Sequence, residues 1–228
     1  MISKENELIH KVLRMPQKRF IFDLDGTLTD SGEGILNSVE MTLRHFSLPV
    51  PDRKALRVFV GPPLRDMFIK YGVPESRVEE AIDVYRSRYN TIGKFENCPY
   101  PGIPEMLEKL QKLGYSLVVA TSKPETTAVE IMDKFQLSQY FDEICGATAD
   151  GSRDEKAKVI AYLLSKLDNI HDIWMVGDTA FDVIGAAANG IPTVGVSWGY
   201  GNVEDIINAG AIAIVHTAEE LYKMLSSL

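Results

Sequence analysis

From residue 97 onward, short apolar runs alternate with helical patterns. The runs are SLVVATS (116 to 122), FDEICG (141 to 146), DIWMVGD (172 to 178), IPTVGVSW (191 to 198) and AIAIVH (211 to 216). Each is strand-length and rich in β-branched or aromatic residues, and strands separated by helices imply a parallel sheet. Between them, PEMLEKLQKLG sets Met106, Leu107, Leu110 and Leu113 on one helical face, with Gly114 placed to stop the helix. Val159, Ile160, Leu163, Leu164 and Leu167 mark out a further helix. An earlier run, RFIFDLD over 19 to 25, supplies the first strand of the same sheet.

Residues 34 to 96 follow another period. ILNSVEMTLRHFSL, ALRVFVGPPLRDMFIKYG and SRVEEAIDVYRSRYN are three helical patterns with no comparable β run between them. The expected fold is therefore α/β, a Rossmann-like parallel sheet core with an inserted all-helical cap. Residues 1 to 18 form an N-terminal extension, 19 to 33 and 97 to 228 the core, and 34 to 96 the cap, which sits as a lid over the loop that ends the first strand. In the extension, Ile9, Val12 and Leu13 suit either one side of a short helix or a frayed segment. No fixed-period repeat or low-complexity tract interrupts this plan.

Composition narrows the function classes. A chain of 228 residues with 45% hydrophobic content can bury a substantial core. Its net charge of -8 argues against a nucleic-acid surface, which needs a concentrated basic footprint. Two cysteines, Cys98 and Cys145, make no disulfide framework and fit a reducing cytoplasm. The first 18 residues resemble no secretory signal, and no run of about 20 apolar residues suggests a membrane span.

The chemistry begins at the end of the first strand. Asp23, Asp25 and Thr27 match the opening of a calcium loop, but Leu28 and Gly34 stand where such a loop needs glycine and a bidentate glutamate. A simple turn is the plain alternative. In open parallel sheets, however, ligands gather at the carboxyl ends of strands. The polar residues ending the runs are Asp23 and Asp25, Thr121 and Ser122, and Asp178, with Asp182 one helical turn beyond. Carboxylates gathered this way raise one another's pKa, so they imply a cation. Oxygen donors suit Mg²⁺, whereas His10, His45, His171 and His216 are too dispersed for a zinc site.

These residues make the chain resemble the haloacid dehalogenase superfamily over nearly everything from residue 19. Asp23-Leu24-Asp25-Gly26-Thr27 is similar to its first motif, LVVAT ending at Thr121 to its second, Lys156 in SRDEKAKVI to its third, and Gly177, Asp178 and Asp182 to its last. The resemblance implies a Mg²⁺-dependent phosphatase in which Asp23 is the nucleophile and Asp25 the general acid and base. Thr121 and Lys156 would hold the phosphoryl group. Asp23, Asp25 (through its carbonyl), Asp178 and Asp182 (directly, through water, or as an anchor) would serve the metal. It further places Gly26, Thr27, Ser122, Lys123 and the cap residue Arg65 among substrate contacts. For Arg65 a surface pair with Asp66 or Glu80 is the competing expectation, and for Lys123 simple exposure. Dehalogenase and phosphonatase branches lack an acid at the position of Asp25, so its presence points to phosphoester chemistry.

YPGIPEMLEKLQKLGY, ATSKPE, VGDTAFDV and GVSWGYG resemble the phosphoglycolate phosphatase branch, but GSRDEKAKVI replaces its Lys-Pro-x-Pro segment and is as similar to 5'-nucleotidases. A small phosphorylated metabolite is the expected substrate. A pyrophosphatase or sugar phosphomutase of the same superfamily is the enzymatic alternative, and a phosphoacceptor signalling module the non-enzymatic one. A silent binding protein would not need the full acid set, and Gly195, Gly199 and Gly201 do not form a dinucleotide fingerprint.

Overall fold

The computed structural model describes residues 18–148, 150–168 and 171–228. The expected N-terminal helix bearing Ile9, Val12 and Leu13 lies outside them. Among the described residues eight strands run in chain order: β1 (Arg19–Phe22), β2 (Thr29–Asp30), β3 (Cys98–Pro99), β4 (Ser116–Pro124), β5 (Glu143–Ala147), β6 (Ile173–Gly177), β7 (Thr193–Val196) and β8 (Ala213–Val215). Six of them form one parallel sheet in the order β5-β4-β1-β6-β7-β8, while β2 and β3 pair separately and antiparallel. All six expected strands are present, each within three residues of its apolar run.

The helices are α1 (Gly32–His45), α2 (Arg53–Leu56), α3 (Leu64–Lys70), α4 (Val78–Tyr89), α5 (Ile103–Lys112), α6 (Glu125–Lys134), α7 (Lys156–Lys166), α8 (Ala180–Ala187), α9 (Val203–Asn208) and α10 (Ala218–Ser227). Alternation along the strands divides the core into two layers. Phe20, Phe22, Leu117 and Val119 face α5, α6 and α10, while Ile21, Val118 and Ala120 face α7 and α8. Both faces are thus covered, and each fully buried aromatic or aliphatic side chain contributes roughly 1.5–3 kcal/mol of transfer free energy.

A third apolar cluster, including Val39, Leu43, Phe59, Phe68, Ala81 and Tyr85, belongs to the helices between β2 and β3. One difference from the sequence pattern occurs here. The stretch 55 to 72 reads as one helical pattern with a stiff turn at Gly61, Pro62 and Pro63, and it folds as α2, a further 3₁₀ turn at Arg57–Phe59, and α3. Pro62 and Pro63 explain the break, because neither supplies a backbone N–H to continue the ladder and each restricts the residue before it. No helix among the described residues is long and apolar enough to cross a membrane.

The topology places the site. The chain moves from β1 to β4 and β5 on one side, then returns to β6, β7 and β8 on the other, so the order reverses at β1. A crevice forms beyond the carboxyl ends of strands at such a switch point. Phe22 is level with both Val119 and Val176, which brings Asp23 beside the ends of β4 and β6.

Candidate active site

Asp23 is fixed as the chain leaves β1, its amide donating to the Val176 carbonyl at 3.0 Å. The turn that follows needs Gly26, whose φ is +85° and where a Cβ would stand 2.2 Å from Asp178 Oδ2. This tight approach lets the buried Thr27 hydroxyl donate to Asp178 Oδ1 at 3.1 Å. Asp178 itself follows β6, and its other oxygen accepts the Tyr200 amide at 2.8 Å. Gly199 and Gly201 allow that loop to close: a Cβ on Gly199 would meet Asp178 Oδ2 at 2.2 Å, and one on Gly201 would meet the Asp178 carbonyl oxygen at 1.9 Å.

Asp182 lies in the first turn of α8 and closes a capping box with Thr179. Its Oδ2 accepts the Thr179 amide at 3.0 Å and the Thr179 hydroxyl at 2.8 Å. Its Oδ1 faces Lys156 Nζ at 2.8 Å. Lys156 begins α7 and reaches under the strand ends, 2.6 Å from Asp23 Oδ1, while donating to the Ala120 carbonyl at 3.1 Å. Two carboxylate oxygens and one carbonyl oxygen thus surround one buried ammonium. Burial opposes the charge on Lys156, but Asp182 and Asp23 outweigh it and hold the pKa above its ordinary value.

Oxygens of Asp23, Asp178 and Asp182 lie within 4.8 Å of one another, all buried. Burial pushes the Asp23 carboxyl up to about 6 despite the opposing pull of Lys156. Asp178 is pushed up to about 8 by burial and by the facing Asp182 and Asp23. Such a set of oxygen donors, short of positive charge, fits a divalent cation of the Mg²⁺ kind.

Asp25 turns the other way. Its Oδ2 is 2.9 Å from Lys123 Nζ, while its buried Oδ1 has no hydrogen-bond partner. Lys123 also donates to the hydroxyl of Tyr89, the last residue of α4. Its ammonium is buried, which opposes its charge, but Asp25 and Tyr89 hold its pKa above the ordinary value. Thr121 is buried at the end of the apolar part of β4 and accepts the Lys123 amide at 3.2 Å.

The structure therefore brings Asp23, Asp25, Gly26, Thr27, Thr121, Lys123, Lys156, Asp178 and Asp182 to one end of the sheet. Ser122 is exposed at the same strand end. Arg65 stands on the cap surface, half-exposed and ion-paired with Glu79, and none of its contacts reaches the acid cluster. Two participants were not singled out from the sequence. Tyr89 reads there as one more aromatic of a helical pattern, and Tyr200 is marked only by its flanking glycines, Gly199 and Gly201.

Residues 20–196 match the profile of the family described as haloacid dehalogenase-like hydrolase. The chain belongs to the haloacid dehalogenase-like hydrolases. Tyrosine-protein kinase PtkA of Mycobacterium tuberculosis is 44% identical over 199 residues, 87% of this chain and 68% of that protein. A 5'-nucleotidase of Pseudomonas aeruginosa is 42% identical over 85% of this chain and 88% of its own length. A phosphoglycolate phosphatase of Caulobacter vibrioides is 30% identical over 91% and 90%. Among solved structures, a predicted phosphatase from Clostridium acetobutylicum superposes with a TM-score of 0.87 at 44% identity, covering 94% of this chain and all of that one. This haloacid dehalogenase-like hydrolase is thus an enzyme of the family's phosphatase kind, with the acid at position 25 that the sequence reading required.

Proposed function

We propose that the enzyme hydrolyses small phosphomonoesters with Mg²⁺ through a phosphoryl group carried on Asp23. The observation that supports this reading most directly is the division of labour between two acids at the end of β1. Asp23 pairs with Lys156 at 2.6 Å beneath the strand ends, whereas Asp25 turns to Lys123 at 2.9 Å, beside the Tyr89 hydroxyl. Asp23 Oδ attacks phosphorus, the bond from phosphorus to the ester oxygen breaks, and the Asp25 carboxyl gives its proton to the departing alcohol. Asp25 then takes a proton from water as the water oxygen bonds to phosphorus, and the Asp23 carboxylate is released with inorganic phosphate.

Lys156 orients the nucleophile and is close enough to meet phosphoryl oxygens, and the Thr121 hydroxyl lies at the same strand end. Asp23, Asp178 and the backbone carbonyl of Asp25 would hold Mg²⁺, with Asp182 anchoring Lys156 and the α8 turn behind them. When bound, the metal supplies positive charge to the phosphoryl oxygens and offsets the facing carboxylates. The helices between β2 and β3 act as the cap, closing on the leaving group, and Tyr89 reaching Lys123 is its contact nearest the chemistry.

The identities favour a nucleoside monophosphate over phosphoglycolate as the first substrate to try, because the 5'-nucleotidase is the nearer of the two relatives. The likeness to PtkA favours a second reading, in which a protein hydroxyl replaces water as the acceptor. The test measures phosphate release from an aryl phosphate and from nucleoside monophosphates, with chelator, with Mg²⁺ restored, and with a tyrosine-containing peptide added. Chelation should abolish turnover and Mg²⁺ should restore it, while Asp23→Asn leaves no acid-stable acyl-phosphate label. Undiminished turnover in excess chelator defeats the metal reading. A stable phosphoprotein without turnover supports the phosphoacceptor alternative, and label passing to the peptide supports transfer.

A further inference from the structure

The loop after β7 carries a residue whose two ends belong to different parts of the molecule. The amide of Tyr200 donates to Asp178 Oδ2 at 2.8 Å, so its backbone is part of the acid cluster. Its side chain leaves the core and packs against the apolar cluster of the cap. There its hydroxyl accepts the amide of Gly32, the first residue of α1, at 2.6 Å and donates to Asp30. The Gly32 amide also reaches Asp30 Oδ1 at 3.2 Å, which closes a three-membered arrangement of Tyr200, Asp30 and Gly32. From the cap's 3₁₀ turn, the guanidinium of Arg57 stands 5.3 Å from the ring centroid of Tyr200.

Burial, then the hydrogen bond to Asp30, raises the phenol's pKa above its ordinary value. The neighbouring residues leave little slack. A Cβ at position 199 or 201 would collide with Asp178, so the backbone of this loop lies directly against that residue. A Cβ on Gly32 would stand 3.0 Å from the Tyr200 hydroxyl, so the cap side of the contact is also close-fitting, though less so than the core side.

We propose that Tyr200 is a positioning residue that ties the first turn of the cap to Asp178, so that cap docking and alignment of the metal-site carboxylate favour each other. The inference rests on the proposed metal role of Asp178, and it goes beyond it by assigning the mechanical link. Reciprocity follows from thermodynamics: whatever orders the loop 199 to 201 must stabilise the docked cap, and whatever docks the cap must order the loop. The link carries no chemistry itself, and the hydroxyl touches no reacting atom.

Tyr200→Phe isolates the link, since it keeps the amide to Asp178 and the ring beneath Arg57 while removing only the hydroxyl. Amide exchange followed by NMR, without metal, should show the Gly32 amide exchanging about 5- to 10-fold faster in the variant, as expected for a lost hydrogen bond in an otherwise intact fold. Added Mg²⁺ should slow exchange at both position 200 and Gly32 in the wild type, but only at position 200 in Tyr200→Phe. Gly32→Ala, which crowds the hydroxyl from the cap side, should uncouple the two sites in the same way. In turnover of an aryl phosphate, KM should rise about 3- to 10-fold with kcat largely retained, the split expected when ground-state docking is weakened and chemistry is not.

An unchanged Gly32 amide in Tyr200→Phe, or Mg²⁺ protection of Gly32 that survives the substitution, overturns the link. A fall in kcat at constant KM also overturns it, because the hydroxyl would then serve the chemical step. If Mg²⁺ slows exchange nowhere in the wild type, the metal assignment fails, and the metal-free comparison at Gly32 still decides whether the tie exists.

Discussion

Replacing Lys156 by methionine keeps most of the side chain's volume and removes only its charge. In the native protein the ammonium lies 2.6 Å from Asp23, 2.8 Å from Asp182 and 3.1 Å from the Ala120 carbonyl, with all partners buried. Removing one member of a buried ionic set costs about 3–5 kcal/mol, because the remaining charges lose compensation. The sign with pH follows from proton binding. The Asp23 carboxyl is already lifted to about 6 in the folded protein, above the roughly 3.9 of an unfolded chain. Stability tied to it is therefore full below about 4 and is lost as pH rises through the folded value. Lys156 opposes that lift, so its removal raises the carboxyl further, by about 1.4 kcal/mol for each added unit.

Lys156→Met should thus lose most stability near pH 8 and least near pH 5, where Asp23 takes up a proton in both proteins. Urea unfolding with chelator at the two pH values, followed by tryptophan fluorescence, measures this directly. A loss at pH 8 below about 1 kcal/mol would mean that the three contacts are energetically idle. Equal losses at pH 5 and pH 8 would show that Lys156 acts through packing rather than charge. Either result would refute the electrostatic account of the site.

Asp25→Asn should slow steady-state turnover by about 10²- to 10⁴-fold while still allowing Asp23 to be labelled by a substrate with an activated leaving group, and quench-flow separates the two steps. Gly26→Ala places a Cβ 2.2 Å from Asp178 Oδ2 at a φ of +85°. Calorimetric titration should show Mg²⁺ affinity falling by at least about tenfold, since displacing a metal-site carboxylate costs more than the left-handed backbone strain of about 1–2 kcal/mol alone. Arg65→Ala removes an exposed pair with Glu79, and should change stability by under about 1 kcal/mol and leave kcat/KM for neutral and carboxylated substrates alike. A selective loss of about 1.5–3 kcal/mol on phosphoglycolate would return Arg65 to the substrate-binding set.

The core strands were legible because each combines an apolar run with a flanking turn signal, and the acids ending them follow from the rule for parallel sheets. Asp23, Thr121 and Asp178 could accordingly be placed at one end of the sheet before any coordinates, whereas Lys156 was placed there only by the resemblance to the family. What sequence spacing could not convey was direction. Asp25 and Asp23 are two residues apart, yet one turns to Lys123 and the other to Lys156. Asp182, one turn beyond Asp178, reads as a metal ligand or an anchor, and the structure sets it within the acid cluster while its oxygens also meet Thr179 and Lys156. The cap's helical character was legible, and so was the turn at its two prolines, but the 3₁₀ turn at Arg57–Phe59 was not. Contacts between cap and core, such as those of Tyr89 and Tyr200, join positions more than 30 residues apart. No periodicity encodes them.

The short ladder in which Thr29 pairs with Pro99 and Asp30 with Cys98 has a consequence for how this architecture can change. It clamps together the two points where the chain departs from the sheet and returns to it. Everything between those points is therefore a cassette with adjoining ends, and closing the gap across it needs only a turn. An insert of another length or shape can occupy the same socket without moving Asp23 or Asp25, so new leaving groups can be accommodated by exchange of the cassette while the hydrolytic end of the sheet is inherited unchanged.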